Sequence, residues 1–179
     1  IVAKDSGDQA GSLNNIANIL RYTGKLSEAL AYYNQALILK EKFGSKRSLA
    51  TTIGNIGEVY LELKNFANAE IYFNRALSLR IAVNDNYGIL TSSTRLAELY
   101  LRQNKFAKAR DIALSGKRSA NKAGMLDKKL ENDSVLTEIY MKLNDPESAI
   151  QLAKDALTLK DSIFNAKMAQ TTWRLNVQF

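Results

Sequence analysis

The 179-residue sequence contains no cysteine, no histidine and a single proline, Pro146. Without cysteine there is no disulfide and no thiol chemistry, a composition that fits a reducing or an oxidising compartment alike. Without histidine the commonest general base and the commonest metal ligand are missing. No run of about 18 apolar residues occurs, so no segment is expected to insert into a membrane as a helix. The opening IVAKDSGDQ lacks the basic region and apolar stretch of a secretory signal. Glycine-rich phosphate loops, nucleophile elbows and metal-ligand clusters are absent too. Carboxylates at helix spacing exist, such as Glu58 with Glu62, but an exposed acidic face explains them more simply than an acid/base dyad. The sequence therefore predicts no enzyme, no cofactor and no metal site.

What is present is a moderate apolar content, 46% of the chain, enough for a continuous core in one domain or in an array of repeats. The net charge of +7 is unevenly placed. Residues 1–100 hold 11 basic and 9 acidic side chains, residues 101–130 hold 9 and 2, and residues 131–179 hold 5 and 7. The excess is thus one local patch of Arg102, Lys105, Lys108, Arg110, Lys117, Arg118, Lys122, Lys128 and Lys129. It could suggest nucleic acid or anionic lipid. Its members lack interleaved aromatics and spread over helix faces and turns, so a solvated surface is the expected reading.

The most regular stretch is Ile53 to Ala76, with Ile53, Ile56, Gly57 and Tyr60 followed by Ala69, Phe73 and Ala76. Apolar positions three and four apart build one stripe on each of two helices. Gly57, Ala69 and Ala76 fall where packed helices approach to ~8–10 Å between axes. The register returns every 40 residues without insertion: Leu20, Tyr60, Tyr100 and Tyr140 form one column and Ile16, Ile56, Leu96 and Leu136 another. Ala29, Ala69, Ala109 and Ala149 form a third, and Leu39, Leu79 and Leu159 a fourth that Ser119 interrupts.

This order of residues resembles the tetratricopeptide repeat (TPR) pattern, in a long-repeat form. The resemblance implies an all-α fold: an α-α solenoid of about four helical hairpins forming a right-handed superhelix, with a C-terminal extended or capping helix. The expected divisions are residues 1–4 as the end of a truncated preceding repeat, repeats at 5–44, 45–84, 85–124 and 125–164, and a capping or linker helix at 165–179. Thr23-Gly24 is expected to end the first helix with a left-handed glycine, and Gly44 to close the second in the same way. Asn65 and Asp145-Pro146 read as helix starts. In the third repeat Ala113, Gly116 and Lys117 replace the aromatic, alanine and leucine of the first two, which predicts the softest helix of the array. Asp133 stands in the column of Leu13 and Ile53, predicting a polar edge on its helix.

Directly after the last repeat, Lys160-Asp161-Ser162-Ile163-Phe164-Asn165 resembles the segment that follows the TPR array in many bacterial envelope sensors of the histidine kinase type. That resemblance implies a sensory or scaffolding region of a larger signalling protein. It favours a periplasmic location, with a cytoplasmic one left open.

In TPR arrays the first helix of each hairpin lines the concave face. Carried onto this sequence, one groove column holds Asn15, Asn55, Arg95 and Val135, and a second holds Asn18, Glu58, Glu98 and Glu138. Asn15 and Asn55 resemble an asparagine ladder that hydrogen-bonds the backbone of an extended peptide, since an amide both donates and accepts. Arg95 and Val135 interrupt it. Glu58, Glu98 and Glu138 set one carboxylate per repeat along a line that suits a partner with spaced basic residues. A clamp for an acidic C-terminal tail needs lysine and arginine in these columns, and only Arg95 fits. The expected partner is a protein or extended peptide segment; a homodimer through the C-terminal helix stays open, and nucleic acid is not expected.

Overall fold

The computed structural model describes the backbone of residues 2–177, and their side chains apart from those of 2–5, 127, 171 and 174–177. Among the described residues the regular structure is eight helices: α1 (Val2–Tyr22), α2 (Leu26–Phe43), α3 (Lys46–Glu62), α4 (Phe66–Ala82), α5 (Asn86–Arg102), α6 (Phe106–Ala123), α7 (Leu126–Lys142) and α8 (Pro146–Val177). Each odd helix pairs with the even helix after it, giving four hairpins stacked in chain order. Successive odd helices also approach closely along their backbones, whereas the even helices among the described residues do not and meet only through side chains such as Arg75 and Glu41 at 2.7 Å, so the odd helices form the tighter, inner row. The expected all-α solenoid of four hairpins is what the chain forms.

The core fills each hairpin and continues across the joints. Tyr33 and Leu37 of α2 bury against Ile53, Ile56 and Val59 of α3. Phe73 and Leu77 of α4 meet Leu96 and Leu99 of α5, and Ala113 of α6 meets Leu136 and Ile139 of α7. Each set recurs 40 positions on, which is why the apolar columns were visible. Burying one such side chain is worth ~1.5–3 kcal/mol, so the joints rather than isolated hairpins hold the array together.

The turns repeat as strictly as the core. Gly24, Lys64, Asn104 and Asn144, one column, all have left-handed backbone, with φ from 57° to 78°. Asn84 and Gly124 do the same at two of the turns between hairpins. Gly44 differs from expectation. It lies extended at φ −87° and ψ 158°, its N–H donating to the Lys40 carbonyl. Glycine serves there for room, because a Cβ would sit 2.7 Å from that same oxygen. Asn65 and Asp145 cap α4 and α8 as expected, accepting from the N–H groups of Asn68 and Ser148. Ser45 and Asp85 cap α3 and α5 in the same manner.

Two local expectations change, at residues 2–4 and at Asp133, while the expected extended C-terminal helix is present and Gly116 acquires a structural reason. Residues 2–4, expected to end an earlier repeat, are the first turn of α1. The segment from 165 is, as far as Val177, the continuation of α8 with no break, in a helix of 32 residues. Gly116 is the reason α6 can lie close: a Cβ there would come within 2.8 Å of Ser93 Cβ on α5. Asp133 is no exposed polar edge but is 1% exposed and ion-paired with Lys117 at 2.9 Å.

A candidate groove along the odd helices

Two amide columns and one carboxylate column meet on the inner row. On α1 the Asn18 carbonyl oxygen accepts from the Tyr33 hydroxyl at 2.6 Å and from the Asn55 amide of α3 at 3.2 Å. Asn55 is therefore half-buried and tied across the first joint, while Asn15 stays exposed. Below them runs a chain that the groove columns did not foretell. Lys40 Nζ donates to Thr52 Oγ1 at 2.8 Å, and that hydroxyl donates to Asn14 Oδ1 at 2.9 Å. Burial pushes the Lys40 ammonium down from its ordinary value. Arg80, 40 positions later, repeats the reach to Ser92 Oγ at 2.6 Å.

Farther along, Arg95 of α5 sits among three carboxylates. Its Nε faces Glu58 at 2.9 Å, its Nη1 donates to both oxygens of Glu98 at 2.8 and 3.0 Å, and its Nη2 lies 3.4 Å from Glu131 of α7. Desolvation opposes the Arg95 charge, and Glu58, Glu98 and Glu131 together outweigh it, so the guanidinium is held above its ordinary value. Glu58 is pushed up by burial, against the pull of Arg95 and Arg21. Arg21 in turn binds Glu62 at 2.5 Å. The Glu58 and Glu62 pair is thus divided between two guanidiniums rather than spread on an exposed acidic face.

Of the carboxylate column only Glu138 is open. It is exposed and makes no hydrogen bond or ion pair among the described residues. With Glu98 it borders a hollow of about 520 Å³ floored by Leu101, Phe106 and Val135, with Arg102 and Lys142 at its rim. The structure therefore joins Asn18 to Asn55 and Glu58 to Arg95 and Glu98, and leaves Asn15 and Glu138 to solvent. Counting side chains on this face, Arg21, Arg95, Arg102 and Lys142 stand against Glu58, Glu62, Glu98, Glu131 and Glu138, an acidic excess of one. Reading the sequence overlooked Asn14, Arg21 and Glu131. The signals for two of them were present: Arg21 follows Asn18 by three, and Glu131 precedes Val135 by four, both helical spacings on the chosen face.

Part of the basic patch is neutralised by nearby carboxylates. Lys117 is committed to Asp133, Lys128 to Glu131 at 2.7 Å, Arg110 to Asp111 at 2.9 Å, and Lys105 lies 3.9 Å from Glu70. Lys105 and Lys108 also stand over the Tyr100 ring, 5.8 and 5.9 Å from its centre. Among the described residues no helix is long and apolar enough to cross a membrane, and no cluster of acidic side chains could hold a metal ion.

Helical hairpins stacked at a fixed period, with an inner row of first helices, define an α-helical solenoid, a class whose members bind partners along their inner surface. This chain belongs to the tetratricopeptide repeat family. The family model matches residues 8–82 and again residues 48–116, two matches that begin 40 positions apart and together cover more than half of the chain. Comparison with curated protein sequences gives no match. Among solved structures the chain is similar to BtubC from P. vanneervenii, at 17% identity and a TM-score of 0.79 over 86% of this chain and 64% of that one. It is similar to aspartyl phosphate phosphatase F from Bacillus subtilis, at 14% and 0.83 over 88% of this chain and 41% of that one. It is also similar to a STAND protein with a tetratricopeptide repeat sensor from Pyrococcus horikoshii, at 19% and 0.76 over 87% and 24%. The chain spans less than two thirds of each of these structures, and at such identities the likeness is one of fold.

Proposed function

We propose that the inner face of α1, α3, α5 and α7 is a non-catalytic groove for an extended segment of another protein, neutral or basic in character. The observation that carries this is the state of Arg95. Its donors are already taken by Glu58, Glu98 and Glu131, so it offers nothing to an acidic partner. Asn15 contributes an open amide. Asn55 keeps its carbonyl oxygen free to accept a peptide N–H, with Asn18 fixing its orientation. Glu138 is the free charge that meets a basic side chain beside the apolar floor of Leu101 and Val135.

The array is in this reading the sensory or scaffolding region of a larger bacterial signalling protein, with repeats at 5–44, 45–84, 85–124 and 125–164. The support is the Lys160–Asn165 segment and the fold likeness to a phosphatase and to a repeat sensor. The same segment favours the periplasm. The test is an array of short extended peptides, basic, neutral and acidic, probed with the wild-type chain, with Asn15→Ala/Asn55→Ala and with Glu138→Lys. Retention of basic peptides at moderate salt, lost in both variants, supports the groove. Retention that vanishes with salt and ignores these substitutions overturns it, because only phosphate-like or diffuse charge binding weakens so steeply.

A further inference from the structure

The three joints of the inner row place one guanidinium differently. Between α3 and α5, Arg95 bridges Glu58 at 2.9 Å and Glu98 at 2.8 Å. Between α1 and α3, Arg21 is bound to Glu62 and lies within reach of the Glu58 charge. Between α5 and α7 the same carboxylate column supplies Glu98 and Glu138, the Glu58 and Glu98 of the second joint moved on by 40 residues. The columns of the two arginines hold Leu101 and Val135 there instead. At this place that joint has the hollow of about 520 Å³ whose lining includes Glu98, Leu101, Val135 and Glu138.

The hollow retains the acceptors of such a bridge. Glu138 is exposed and unpaired among the described residues. Both oxygens of Glu98 accept from one nitrogen of Arg95, and a carboxylate has room for further donors. Leu101, Phe106 and Val135 give the methylene stem of a long cationic side chain an apolar bed. A planar guanidinium can serve two carboxylates at once, as Arg95 does, whereas an ammonium is a point charge. Arg102 and Lys142 line the same hollow and form no ion pair with either glutamate. Each stands four residues beyond its glutamate, ~6 Å along the helix axis toward the hairpin turn. A ligand lying along this joint therefore meets a pair of carboxylates and then a pair of cations.

We infer that this hollow receives an arginine side chain of the partner segment, and that an acidic residue next to that arginine is held by Arg102 and Lys142. The inference rests on the groove proposed above and names the residue pair that anchors a segment in it. The arginine takes the place that Arg95 fills in the second joint, bridging Glu98 and Glu138. A lone cation would face Arg102 and Lys142 as like charges, so the neighbouring carboxylate belongs to the recognition.

Amide shifts of the isotopically labelled chain, titrated with acetyl-arginyl-glutamate amide, test the pocket apart from the rest of the groove. The shifts are expected to cluster on Leu101, Val135 and Glu138. Citrulline in place of arginine, or glutamine in place of glutamate, is expected to weaken binding on the order of tenfold, the measure of one charged hydrogen-bonded contact. Val135→Arg supplies the chain's own guanidinium, as Arg95 does, and is expected to abolish binding of the probe. Glu138→Gln, at an exposed position and without added bulk, is expected to weaken it on the order of tenfold. Circular dichroism checks that both variants fold. Asn15→Ala/Asn55→Ala lies at the first joint and is expected to leave the dipeptide unaffected. Failure of the pocket and failure of the groove are thereby told apart. Extended peptides that need both asparagines, yet bind equally with citrulline for arginine, overturn the pocket and leave the groove standing. A dipeptide bound at the hollow while extended peptides ignore the asparagines supports the pocket and confines the failure to the groove. Shifts absent from α5 and α7, or binding that ignores Val135→Arg and Glu138→Gln, overturn the inference. So does tighter binding of acetyl-arginine with a free carboxylate, which would assign the anion to a chain end.

Discussion

Replacing Arg95 by methionine leaves Glu58, Glu98 and Glu131 facing one another with Lys128 on Glu131 and the more distant Arg21 near Glu58 in compensation. The expected loss is about 1–3 kcal/mol at neutral pH in urea unfolding, below the cost of a fully buried pair because the site is partly wet. Glu58 adds a pH dependence whose sign can be worked out. Burial raises its carboxyl from 4.5, so the folded state holds that proton more tightly than the unfolded chain. Its contribution is fully present below the ordinary value and is lost as pH rises through the raised one. Glu58→Gln should flatten that limb of the stability–pH profile; an identical profile in the variant would assign the limb to another group. Gly24 gives a purely backbone test. Nothing lies within 4 Å of a Cβ built there, yet its φ is +78°, so Gly24→Ala should cost about 1 kcal/mol through handedness alone.

A joint between hairpins can be built from apolar or from charged material, and this chain does both. At the first joint Leu37 and Ile53 share one apolar cluster; 80 positions later Lys117 and Asp133 take the same two columns as a buried ion pair. Lys117→Leu alone strands a carboxylate in the joint and should cost about 3–5 kcal/mol, whereas Lys117→Leu/Asp133→Ile should match or exceed the wild type. A double-mutant cycle by chemical denaturation checks this, and a double variant as unstable as the single one would show that the pair is irreplaceable there. The same two columns mark where sequence reading stopped. Each substitution was visible singly, Lys117 as an anomaly of its helix and Asp133 as a polar edge. That they compensate one another depends on which even-helix position faces which odd-helix position, and that is a property of the stacked joint rather than of either helix. The repeats themselves were legible because burial recurs at one fixed spacing, so identical demands produce aligned residues. The turn at Gly44 was not, because a glycine kept for room and a glycine kept for handedness read alike.

Along the whole array the inner face was legible as to position but not as to state. The columns of Asn15, Asn55 and Arg95 and of Asn18, Glu58, Glu98 and Glu138 do lie on odd helices. Which of them are engaged follows from distances between neighbouring helices, and those distances turn an expected ladder of free carboxylates into a lattice around Arg95 with Glu138 outside it. The joints also differ in what they bury, and this sets how the molecule opens. The α3–α5 region is held by Ile53, Ile56, Phe73, Leu96 and Leu99, all at most 1% exposed. Toward α1 the apolar face is open at Ile16 and Ile19, and along α8 it is open at Leu157, Phe164, Met168 and Trp173. In a stack whose stability is a sum of neighbour terms, hairpins with one neighbour open first. Hydrogen exchange at a dilution that keeps the chain monomeric should therefore show the amides of α3, α4 and α5 protected longest, with protection falling toward α1 and toward the distal half of α8. Exchange at one common rate across all eight helices would mean that the array unfolds as a single unit. The joints would then be coupled far more tightly than nearest-neighbour packing provides.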